Sequence, residues 1–126
     1  MALPTPVAYD YALFRVVPRV HLGGGVPVGA ILQCRQRRFL GVAWAGSPDE
    51  IGARWPALAP LLPRYLAAVE RAASGEGPIG VYPPSERFHW LAAARSTVLQ
   101  ASPVRTGLTD DPAATLGAIA ADLARG

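Results

Sequence analysis

Between Tyr9 and Val20 the chain alternates. Ala12, Phe14, Val16 and Val20 take one set of positions, and Tyr11, Leu13, Arg15, Val17 and Arg19 take the other. Successive side chains of an extended backbone point to opposite faces. A period of two therefore specifies a half-buried antiparallel strand. Pro18 has no backbone donor, so the strand must bend or lie at an edge there. The run Gly23-Gly24-Gly25 interrupts it, because three residues without Cβ resist regular structure. A second strand follows from Val26 to Cys34 and a third from Arg38 to Ala45, with Arg35-Gln36-Arg37 as the hairpin turn.

Helices begin after Ser47-Pro48-Asp49-Glu50. Ser47 suits a cap, Pro48 the first helical position, and Glu50 the far side of a capping box. Pro56 keeps that helix short by disfavouring helix at Trp55. Leu58, Leu61, Leu62, Tyr65, Leu66 and Val69 recur at helical spacing and should run to a stop near Gly75. Residues 75–84 read as a Gly/Pro-rich connection. Ser85 is the expected cap of a third helix carrying Phe88 and Leu91. A fourth strand is expected over 97–104. Thr109-Asp110-Asp111-Pro112 then starts a last helix with Leu116, Ile119, Ala120 and Leu123 on one face. The order β-β-β-α-α-β-α specifies an α+β fold: an antiparallel sheet of about four strands, packed with helices mainly on one face.

The chain has 126 residues, of which 51% are apolar and 17% charged. That suffices for one packed core and argues against a disordered chain. Residues 1–8 are expected to be a flexible arm and 9–126 a single domain. All twelve basic residues are Arg, Lys and Asn are absent, and Ala occurs 23 times. Those preferences follow G/C-rich codons, so a GC-rich bacterial genome explains the arginines without any binding role. The net charge of +3 is a weak attraction for anionic partners. Cys34 is the only cysteine, which excludes an intrachain disulfide and a cysteine zinc site. His21 and His89 have no metal-ligand spacing. No signal peptide and no membrane span are read, so the expected setting is the cytoplasm. No cofactor is expected.

Three segments carry a family resemblance. They are Tyr11 to Val20, Val28-Gly29-Ala30-Ile31-Leu32, and the stretch from Arg95 through Arg105-Thr106-Gly107-Leu108-Thr109-Asp110-Asp111-Pro112. Together they resemble a bacterial family known as domain of unknown function 3037, over about residues 9–115. The resemblance implies a small stand-alone protein without an assigned chemistry. It also implies a protein partner, a HipA-like kinase, through gene neighbourhood. Family members carry an acidic residue and an Asn before the second strand, where this chain has Gly24 and Pro27. The departure implies a diverged or structural role.

Each candidate site has a plainer role beside its chemical one. Arg95, Ser96 and Thr97, with Arg105 and Thr106, have the groups of an anion cradle. Helix termination and strand flanking explain them more simply. Arg15, Arg19, Arg35, Arg37 and Arg38 would make a basic stripe, with Tyr9 and Tyr11 to stack on bases. Guarding of a sheet edge is the preferred reading, and nucleic acid is disfavoured as a partner. Asp110 and Asp111 are weak metal ligands and better helix caps. Cys34 is read as a buried thiol and His89-Trp90 as packing. No catalytic residue is assigned. The leading reading is an accessory or protein-interaction domain, with a homodimer as a further expectation. The alternative is a small enzyme or ligand-binding domain for an anionic group.

Overall fold

The computed structural model describes residues 5–17, 25–58, 60–93 and 99–125. The chain opens with β1 (Val7–Val16), β2 (Val26–Cys34) and β3 (Phe39–Trp44), paired antiparallel in sequence order. Along β1 the alternation holds: Ala12, Phe14 and Val16 are buried, while Tyr11, Leu13 and Arg15 are half-buried. Val17 departs from its expected set and is buried. Val7 and Ala8 belong to the strand rather than to an arm, because they pair with Thr109 and Leu108. Pro18, Arg19 and Val20 lie outside the described residues. The hairpin turn takes in Arg38, whose N–H donates to the Arg35 carbonyl at 3.1 Å and whose φ is +51°.

The expected fourth strand ends sooner than 104, and a fifth strand that the sequence reading did not include follows it. Both β4 (Leu99–Ala101) and β5 (Arg105–Thr109) pair with β1 along the edge opposite β2, giving a five-stranded sheet. Thr97 and Val98 lie outside the described residues. The break has a chemical cause. Pro103 offers no N–H, so pairing cannot run through it. Ser102 closes the ladder just before it: its N–H donates to the Leu13 carbonyl at 2.7 Å. Its hydroxyl accepts from the Leu13 N–H at 2.9 Å, standing in for a backbone carbonyl.

Between β3 and β4 a 3-10 turn and a four-residue helix join the three helices expected there. They are α1 (Pro48–Ala53), a 3-10 turn at Pro56–Leu58, α2 (Leu61–Ala73), α3 (Gly77–Gly80) and α4 (Pro84–Ala92). The last is α5 (Pro112–Arg125). Ser47 caps α1 by accepting from the Glu50 N–H. Ser85 does not cap α4; the helix starts at Pro84, two residues earlier than a Ser85 cap would set it, with Pro83 in the cap position and no side-chain cap. Two consecutive prolines preset the φ values that start the helix there. Among the described residues no helix is long and apolar enough to cross a membrane.

The helices take both faces of the sheet. On one face Ala12, Phe14, Val16, Val28 and Ile31 pack against Ile51 of α1, Leu62 and Leu66 of α2, and Phe88 and Leu91 of α4. On the other, Ala30 and Leu32 lie under Leu116 of α5, joined by Phe39, Ala43 and Ile119. Val28 and Ala30 would share a face in a regular strand. An irregularity opposite Phe14 and Arg15 leaves Val28 without a partner on β1 and turns it to the first face. As a result every residue of β2 from Val28 to Cys34 is buried. Burying a Val, Leu or Ile side chain contributes about 1.5–3 kcal/mol, so this strand is the densest source of stability. α5 contacts β2 and β3, and the same face of β1 keeps Tyr9, Tyr11 and Leu13 half-buried.

Candidate functional site

β2 delivers Gln33 and Cys34 to the hairpin, and the turn that follows crowds three arginines. They separate in space. Arg35 and Arg38 line a cleft of about 400 Å³ with Cys34, Phe39, Pro84 and Ser85. Arg37 points elsewhere and donates to the Asp110 carbonyl at 3.2 Å. Gln33, 2% exposed, also lines the cleft. Its amide donates to Asp10 Oδ2 at 3.1 Å, and Thr106 Oγ1 donates to Asp10 Oδ1 at 3.0 Å. Asp10 thus ties β2, β1 and β5 together in one row. Sequence reasoning passed over it. The available signal was that Asp10 is the only acidic residue before Asp49, and it sits inside a strand pattern.

Arg15 lies at the other end of β1. Its strand neighbours are Pro27 and Gln100, whereas Asp10 pairs with Gln33 beside the turn. Several residues at about 3.3 Å each separate Arg15 from the hairpin arginines, so they form no continuous stripe. Arg19 lies outside the described residues. Arg15 Nε is buried without a hydrogen-bond partner among the described residues, beside a groove lined by Gln100, Ser102 and Val104. The rings of Tyr9 and Tyr11 meet at 5.8 Å with a 40° tilt, as neighbours rather than as an open platform.

Arg95, Ser96 and Thr97 lie outside the described residues. Arg105 is exposed and makes no ion pair among the described residues. Thr106 is engaged by Asp10. Asp111 caps α5: Oδ1 accepts from the Ala114 N–H at 3.1 Å, and the Asp111 N–H donates to Thr109 Oγ1 at 2.9 Å. No group of three His, Cys, Asp or Glu side chains converges among the described residues. Cys34 is buried. His89 meets Phe88 edge-on at 5.9 Å, and His21 lies outside the described residues.

A different surface stands out at the corner of α3 and α4. Val81 is 80% exposed, Trp90 56% and Tyr82 39%. The Tyr82 and Trp90 rings stack at 6.3 Å, within 13° of parallel. Arg87 fixes the corner from behind, its Nε donating to the Tyr82 carbonyl at 2.9 Å and an Nη to the Ala73 carbonyl at 2.7 Å. Trp90 was expected to pack. The tryptophans that do pack are half-buried: Trp44 donates to Glu70 Oε1 at 2.5 Å, and Trp55 lies 4.7 Å from the Arg54 guanidinium.

Residues 11–124 match a family described as "Protein of unknown function (DUF3037)". No curated protein matches the chain, and neither does any solved structure.

Proposed function

Since the chain belongs to the DUF3037 family, whose function is unknown, we propose that it is an accessory protein-interaction domain whose partner docks on Val81, Tyr82 and Trp90. The observation that carries this reading is the stacked, exposed Tyr82–Trp90 pair. Tyr and Trp dominate binding hot spots because they bury a large apolar area with few rotors to freeze. Stacking costs part of that area inside the chain but presents the two rings as one rigid plate. Val81 extends the plate, and Arg87 holds it in place. The fitting partner is a folded protein with an apolar slot. The family resemblance makes a HipA-like kinase from the same bacterium the first partner to test.

The experiment is co-expression of the full chain with that kinase, followed by affinity measurement. Trp90→Ala and Tyr82→Ala should each weaken binding at least about tenfold, as expected for truncating a hot-spot aromatic. Circular dichroism should stay unchanged, because both side chains are exposed. Undiminished binding by the double variant would remove this surface as the dock.

A second reading rests on the hairpin cleft. Arg35 and Arg38 border mostly apolar walls, and neither makes an ion pair among the described residues. That arrangement suits a small anion with an apolar body. Thermal shifts with aryl carboxylates and aryl phosphates, lost in an Arg35→Ala, Arg38→Ala variant, would support it.

A further inference from the structure

The outer edge of β5 is open. No described strand pairs with it beyond β1. Which groups it exposes follows from Leu13, whose N–H and C=O both turn toward Ser102 on that side of β1. Polar groups alternate sides along a strand, so Tyr11, Tyr9 and Val7 turn the same way, toward their partners Arg105, Gly107 and Thr109. Thr106 and Leu108 therefore direct their N–H and C=O outward, unpaired among the described residues. The edge lacks the usual protections of an inward charge or a proline within the strand. It carries Leu108 at 74% exposure, with Val104 at 47% just before it.

We infer that β5 pairs antiparallel with β5 of a second copy of this chain. The strand is complementary to itself. It has Arg105 at its head and Asp110 and Asp111 just past its tail, all exposed. Parallel pairing would set like charges side by side. Antiparallel pairing brings the head of each strand to the tail of the other. With the two-fold axis at Gly107, Thr106 of each copy faces Leu108 of the other, and each such pair exchanges both main-chain bonds. Gly107 faces its own counterpart at the close, non-bonded spacing of about 4.5 Å, where the absence of Cβ leaves room. Leu108 shares a face with Thr106, so the exposed Leu108 side chains of the two copies meet as diagonal neighbours across the axis. Arg105 lies on the opposite face, toward the second copy's acidic tail. Two half-sheets become one continuous sheet, with the helix layers away from the seam.

The test uses the full chain in multi-angle light scattering from about 1 to 200 µM, with amide exchange on the same samples. The expected result is a concentration-dependent mass of twice 13.2 kDa. Protection of the Thr106 and Leu108 amides should rise with concentration. Leu108→Pro removes an outward donor and leaves the β1 ladder intact. Arg105→Glu sets acid against acid without touching the backbone. Each should raise the dimer dissociation constant at least about tenfold. Trp90→Ala should leave it unchanged, which separates this interface from the aromatic dock. A monomer mass at 200 µM would overturn the inference. So would a dimer undiminished in both variants, or one whose Thr106 and Leu108 amides exchange as in the monomer.

Discussion

Gly29 shows how tightly single residues are held. A Cβ there would stand 2.2 Å from Trp44 Cε3 and 2.8 Å from the Ala43 carbonyl oxygen. The Trp44 ring lies over this glycine and meets Phe14 at 5.5 Å between centroids. Gly29→Ala should therefore destabilise the protein by about 1–3 kcal/mol in urea denaturation, the usual cost of overpacking. Ser102→Ala leaves the Leu13 N–H without its acceptor and should cost about 1–2 kcal/mol. Arg105→Ala should change stability by no more than about 0.5 kcal/mol at concentrations where the chain is monomeric, because the side chain is exposed and makes no ion pair among the described residues. The apolar members of β1 were legible because burial follows directly from a period of two. The close approach at Gly29 was not, since it depends on which side chain of β3 lies opposite. The Asp10–Gln33–Thr106 row was hidden for the same reason: its members are far apart in sequence and meet only through strand register.

Elements were legible where their ends carry their own chemistry. Ser47 and Asp111 both cap as their sequence positions demand. Asp111→Ala should destabilise by about 1 kcal/mol, the typical worth of an N-cap, whereas Asp110→Ala should lie within error. Calcium titration should leave the melting temperature of both variants and of the parent unchanged, since the Asp111 carboxylate is committed to the helix. Ser85 misled because a serine after two prolines looks like a cap, while the prolines themselves have already set the start. The split between β4 and β5 turned on Ser102 and Pro103. Either residue is ordinary within an edge strand. Only the partner, Leu13, reveals that the hydroxyl completes the ladder.

For the molecule as a whole, the decisive arrangement is a central strand covered on both faces. The sequence showed that the last helix has an apolar face but not which side of the sheet would receive it. Periodicity describes one element at a time and carries no information about layers. The displaced Val28 adds to this, because it swaps faces at a bulge that no local pattern announces. Leu116→Ala should test the second layer. Leu116 is 6% exposed, and it stands over Gly41 so closely that a Cβ there would meet its Cδ2 at 2.8 Å. The substitution should cost about 2–5 kcal/mol, the range for emptying a buried leucine site. Amide exchange in β2 and β3 should speed up with it.

The pairing of β1 also sets a timetable for folding. Val7 is bonded to Thr109, and the Ser102 hydroxyl closes on Leu13 across 89 residues of sequence. Such remote pairings give a high contact order and slow the search for the native state. During synthesis the first strand leaves the ribosome long before its second neighbour exists. Its hairpin partner is at hand early, but its other edge stays unfilled until nearly the whole chain has emerged. Nascent chains stalled before residue 109 clears the exit tunnel should thus remain open to proteases within β1. Full-length chains, once released, should close that edge last.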